Sequence, residues 1–250
     1  MLLQACGNPL SLKSSCESGF YTTDAGRRMQ WADGSRIDFQ MHNSVPSAMR
    51  EVIVASGDRY NDAFSKTHLN VVVSDEITTP TFNGDVDKVS GDNINAIYWV
   101  REKDWAWAES DPDAVAMTVV NFSRTGISES DVFFRAQIFN RDTSSSDVAQ
   151  SKFRPETASS SALDFLLDLR FSPLASLTQA AYNASTSNPN PRQHQVFMVS
   201  VHELGHAIGR CHSEDPASIM YPDVSAGTVE QRQQPLSEID LDILSQAYKP

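Results

Sequence analysis

The chain has 250 residues, 40% of them hydrophobic, enough to bury a substantial core in one large domain or two small ones. Its net charge of -12 and the lack of any Lys/Arg cluster exclude a phosphate-tracking surface, so nucleic acid is not the expected partner. No apolar run approaches the roughly 20 residues that a membrane-spanning helix needs.

The chain starts MLLQACGNPL. Within it, Leu3-Gln4-Ala5-Cys6 resembles the box that ends a bacterial lipoprotein signal, although Gln4 is atypical there and no charged or apolar lead-in precedes it. Cys6 is then the candidate lipidated residue and membrane anchor, and an ordinary disordered tail is the competing reading. With Cys6 set aside, Cys16 and Cys211 remain as a candidate disulfide in an oxidising compartment. Spacing alone leaves a free buried thiol at Cys211 equally admissible. Residues 1–33 read as an N-terminal arm, a trimmed signal or anchor segment, and 34–250 as one domain.

Ser35 to His42 alternates as a short strand. A helix follows through Phe64, with Ser44 or Ser47 as N-cap and Pro46 early in the first turn. Four further segments, Leu69 to Glu76, Asn95 to Val100, Ala114 to Phe122 and Ser130 to Phe139, are rich in β-branched and aromatic residues and read as strands. Arg141 to Ser161 has loop composition, DFLLDLRF is ambiguous between strand and helical turn, and Ser176 to Ala184 reads as a short helix before a Pro/Asn-rich break. The strands lack helices of their own to close a separate unit, which favours a single α+β domain.

Asn190 as N-cap and Pro191 as first helical residue open a helix expected to run to Ile208. On it, His202 and His206 are four apart and share one face, so both imidazoles can reach one ion at the usual zinc–nitrogen distance of about 2.0 to 2.1 Å. His212 would point away on a continuing helix. Gly209 removes that difficulty, because glycine at C′ takes positive φ and turns the chain back beneath the metal. Glu203, beside a ligand and not needed as one, is the candidate general base. HExxH alone arises by chance in about one chain in a hundred of this length. Gly209 and His212 at fixed offsets reduce that to roughly one in a hundred thousand.

HELGHAIGRCH followed by SEDPASIMYP resembles the metzincin zinc proteases, and the HSxDPxSIMYP continuation is similar to the matrixin branch. Ser213 directly after the third histidine argues against the astacin branch. The resemblance covers roughly Gly34 to Pro250 and is specific only at the motif. It implies a twisted, mostly parallel five-stranded sheet with an antiparallel edge strand, an active-site helix and a C-terminal helix. It makes Met220 the methionine of the Met-turn under the site. LSEIDLDILSQAY is similar to the closing helix, with Ser237 and Asp240 as a capping-box variant and Asp240 bracing the Met-turn.

The resemblance also implies one catalytic zinc held by His202, His206 and His212, and calcium sites too degenerate to place. Only His42, His68 and His194 remain outside the motif, and none has the His-x-Asp spacing of a second zinc site. The expected activity is that of a zinc endopeptidase on protein or peptide substrates, exported to the cell envelope or beyond, and monomeric. The peptide would lie antiparallel to Ala114–Asn121, with the pocket after the cut walled by Tyr221 to Gln234. Two alternatives stand: a surface-anchored zinc-containing binding module without protease activity, and a related hydrolase of something other than protein. CGNP also resembles the Cys-Gly-x-Pro core of the matrixin cysteine switch, a second reading for Cys6.

Overall fold

The computed structural model describes residues 2–4, 15–23, 25–64, 69–74, 82–105, 114–123, 125–140, 191–222 and 236–248. The chain forms strands β1 (Leu2–Gln4), β2 (Ser15–Glu17), β3 (Phe20–Thr22) and β4 (Arg36–Met41), then helix α1 (Ser47–Ala63) and strand β5 (Asn70–Ser74). Strands β6 (Asn95–Val100), β7 (Ala116–Ser123) and β8 (Gly126–Arg135) follow. Among the described residues, three further α-helices follow: α2 (Ala136–Asn140), α3 (Pro191–Ala207) and α4 (Glu238–Ala247).

One sheet runs in the order β1-β7-β8-β6-β4-β5. Strands β5, β4, β6 and β8 are mutually parallel, and β7 is antiparallel to β8. These five strands make the mostly parallel sheet that the resemblance implied. One short strand is added: β1 pairs antiparallel with β7, Leu2 opposite Asn121 and Gln4 opposite Val119. A three-residue strand paired across more than a hundred positions leaves no periodicity to read.

Alternation along β6 explains the two-sided core. Ile97 and Trp99 face one cluster with Phe39, Val71, Val120 and Phe134, beneath α1, α3 and α4. Ala96, Tyr98 and Val100 face the other with Met117, Val119 and Phe133. Burial on both faces is what an inner parallel strand requires. Phe20, Met29 and Trp31, from the segment before residue 34, belong to the first cluster.

Local boundaries depart from the sequence expectation at two places. Pro46, not Ser44 or Ser47, is the N-cap of α1, with no side-chain cap bond. Ser44 Oγ is used elsewhere, accepting the Trp99 N–H at 3.0 Å. Strand β8 begins at Gly126 and ends at Arg135, and Ala136–Asn140 turns helical. Its early half carries buried Glu129, Ser130 and Asp131, polar residues that hide a strand from a hydropathy reading. The expectations for Cys6, His68, Asn190, DFLLDLRF, Ser176–Ala184 and the 223–234 wall fall outside the described residues.

Candidate metal centre

Helix α3 is buried on all sides from Val199 to its end, so it reads as a core helix. Tyr60 of α1 donates from Oη to the Val201 carbonyl at 2.6 Å, tying the two helices beside the motif. Gly205 is what permits this approach, because a Cβ there would overlap Met220 Sδ and crowd Tyr60 Oη at 2.8 Å. His202 and His206 project from one face. Their Nε2 atoms lie 3.1 Å apart, and His212 Nε2 lies 3.2 Å from that of His206.

The separation between His202 and His206 is not a hydrogen bond between the rings. His202 Nδ1 lies 2.7 Å from the Ile219 carbonyl and His206 Nδ1 lies 2.8 Å from the Arg210 carbonyl. A carbonyl only accepts, so each Nδ1 carries the proton and each Nε2 presents a lone pair. Lone pairs meeting at this distance repel unless a cation lies between them. Imidazole nitrogens about 2.0 to 2.1 Å from a tetrahedral zinc would stand about 3.3 to 3.4 Å apart, close to the observed spacing. Two of the three pairs have that spacing, and all three ligand atoms lie within 4.8 Å of one another, so the cluster can hold such an ion. Burial, and next the His212 imidazole, holds the His202 pKa down to about 3. Burial, then His202 and His212, pushes His206 well below its ordinary value. Both rings are therefore neutral, the form that binds metal.

Gly209 ends α3 with φ +92°. Its N–H bonds the His206 carbonyl at 2.8 Å and the Arg210 N–H bonds the Gly205 carbonyl at 2.9 Å, the paired bonds of a Schellman motif. The remaining terminal carbonyls are also used. Trp31 Nε1 donates to Ala207 at 2.9 Å and Tyr248 Oη to Ile208 at 2.7 Å. The β2–β3 hairpin then docks on the chain leading to His212: Tyr21 N–H bonds the Gly209 carbonyl at 2.9 Å and Cys211 N–H the Gly19 carbonyl at 3.1 Å. A disulfide joins Cys16 to Cys211, Cα atoms 6.0 Å apart.

Asp240 braces the floor of the site. Its Oδ2 accepts the Ile219 N–H at 3.0 Å, and its Oδ1 accepts the Ser218 hydroxyl and Arg210 Nη2. It also completes a capping box with Ser237 at the start of α4. Met220 is fully buried against Gly205. Glu203 is 1% exposed, and its Oε2 accepts the Thr118 hydroxyl at 2.6 Å. Among the described residues, only His202, His206 and His212 form a group of three or more His, Cys, Asp or Glu side chains whose ligand atoms converge.

The family model described as Matrixin matches residues 96–249. The chain belongs to the matrixin family. Matrix metalloproteinase-16 of Rattus norvegicus is 57% identical over 35 residues, 14% of this matrixin and 6% of that protein. Interstitial collagenase of Sus scrofa is 37% identical over 62 residues, 24% of this chain and 12% of that one. The matches thus span 6% and 12% of these two curated relatives. The solved structure of myroilysin has a TM-score of 0.30 and 12% identity, over 89% of this chain and 96% of its own.

In this matrixin the structure brings His202, His206, His212, Glu203, Gly209, Met220 and Asp240 to one place. Sequence reading passed over three contributors. Gly205 and Arg210 stand inside the HELGHAIGRCH motif, but the packing of one on Met220 and the ion pair of the other with Asp240 exist only in the fold. Thr118 lies 85 positions from Glu203 in an apolar strand, and no pattern singles it out.

Proposed function

We propose that this matrixin is a zinc-dependent endopeptidase acting on extended protein segments. The observation that carries the reading is the convergence of three imidazoles, those of His202 and His206 neutral, beside a buried glutamate that is not among the converging ligands. His202, His206 and His212 would hold the zinc. Zinc bound by three protein ligands supplies Lewis acidity, which acidifies water and polarises a carbonyl. Glu203 takes the proton of the attacking water and delivers it to the leaving amine nitrogen. The carbonyls of Ile219 and Arg210 keep the His202 and His206 rings aimed, and Asp240 holds Ile219 in turn.

Strand β7 supports the substrate geometry. Its edge away from β8 already accepts an extended segment, since Leu2–Gln4 lies antiparallel along Val119–Asn121. Main-chain pairing of this type gives affinity without sequence choice. The Cys16–Cys211 bond supports an exported chain, because disulfides persist in oxidising compartments. Among the described residues, no helix is long and apolar enough to cross a membrane.

The test is digestion of casein or gelatin by the zinc-loaded protein, with and without a chelator, beside Glu203→Ala. Cleavage should vanish on chelation and fall by roughly 10²- to 10⁴-fold in the variant, with zinc content unchanged. Zinc-loaded wild type that cleaves nothing would leave the binding-module reading in its place.

A further inference from the structure

Thr118 is fully buried on β7, with its side chain turned to α3. Its Oγ1 lies 2.6 Å from Glu203 Oε2 and 3.1 Å from the Glu203 carbonyl oxygen. A hydroxyl has one hydrogen to give. The carboxylate is the nearer and the charged acceptor, so it receives that hydrogen.

The bond matters because of what holds each end. Glutamate has three rotatable side-chain bonds, and its carboxylate must be placed to within a fraction of an ångström to act as a base. Threonine is stiff at χ1, and Thr118 sits in a strand paired with β8 at Val132. A rigid donor therefore fixes one oxygen of a flexible acid. The same residue is next to Val119, where β1 pairs, so a single strand presents its backbone edge to an extended chain and its side chain to the base.

We propose that Thr118 is a positioning residue for the reaction put forward above, on which this inference rests: by anchoring Glu203 Oε2 it holds the carboxylate in the pose from which it takes and returns the proton. The competing role is structural, with Oγ1 merely tying β7 to α3. A structural tie would change the yield of folded, loaded protein and leave turnover per bound zinc untouched.

The experiment compares Thr118→Val, which keeps the shape and removes the hydroxyl, with Thr118→Ser, which keeps the hydroxyl. Zinc stoichiometry, kcat per bound zinc and KM on a fluorogenic peptide are measured for each. The valine variant should lose on the order of ten- to a hundredfold in kcat with KM and zinc content little changed, and serine should restore most of it. A valine variant with wild-type kcat per zinc overturns the proposal, as does a serine variant as slow as valine. A second readout needs no turnover: in zinc-free protein, the fall in Tm caused by Thr118→Val should shrink when Glu203 is already Ala. If the wild type loads zinc yet cleaves no peptide, the peptidase reading fails and this cycle alone decides: coupling sustains the anchoring bond, and strict additivity removes it.

Discussion

The carbonyl oxygen of Met29 occupies the space where a side chain on Gly209 would begin. Residue 209 is also at φ +92°, a region that costs a non-glycine residue roughly 1 to 2 kcal/mol. Gly209→Ala therefore meets both backbone strain and an overlap with backbone that cannot move aside. The expected loss of stability is about 2 to 4 kcal/mol. Because this turn leads to His212, zinc affinity should fall with it. Denaturant unfolding and zinc titration of the variant check both, and wild-type values for either would show that the chain can leave α3 by another route.

His212 is the ligand that helix geometry does not supply. His212→Ala should leave His202 and His206 in place on α3 and lose most of the zinc affinity. For the wild type, zinc at a thousand times its Kd should raise stability by about 4 kcal/mol, and a chelator should reverse the gain. A His212→Ala protein that retains one zinc after dialysis would place the third ligand elsewhere.

Much of the site was legible because it lies within one stretch. The i, i+4 histidines follow from helix pitch, and a glycine three residues after His206 is a local signal for the turn. Strand Asn95–Val100 was equally plain, since its apolar run is bounded by turn residues. What the sequence hid was long-range or polar. Arg210 is a charge that reads as surface, yet it is 0% exposed and paired with the buried Asp240 at 3.2 Å. Glu129 is buried in β8, where it accepts the N–H groups of Gly91 and Asn93 and fixes the loop before β6. Thr118 and β1 depend on which strand the fold places over α3, and composition carries no trace of that.

His42 gives the fold a dependence on pH away from the metal centre. Its Nδ1 accepts the Ser44 N–H at 3.1 Å, so protonation there would destroy an acceptor. Burial first, and the Arg50 charge second, lower its pKa from the ordinary 6.5. A base with a depressed folded pKa stabilises fully above its unfolded value, and that contribution is lost as pH falls through the folded one. Stability should therefore decline below about pH 6.5, by at most about 1.4 kcal/mol per pH unit from this residue. His42→Asn keeps an acceptor and cannot titrate, so urea midpoints at pH 7 and pH 5 should lie closer together than in wild type. An unchanged gap would assign the acid sensitivity to other groups.

The Cys16–Cys211 bond closes a loop of 195 positions, and it is anchored one residue before His212. In the chain-entropy model, a closure of that length stabilises by about 4 to 5 kcal/mol, and measured values are often smaller. The bond is backed by backbone pairing, since Phe20 bridges Arg210 and Cys211 bonds Gly19. Reduction should therefore lower stability without releasing the hairpin at once. Cys16 is exposed and Cys211 is 2% exposed, so a reductant approaches from the Cys16 side. Cys16→Ser should reproduce the loss while leaving the helix pair His202 and His206 intact, and zinc affinity should drop less than in His212→Ala. Mass spectrometry of an unreduced digest gives the first check, since a linked peptide containing both cysteines is required. Chemical unfolding of Cys16→Ser beside wild type gives the second. Equal stability in the two would mean that the hairpin's backbone bonds hold the third ligand unaided.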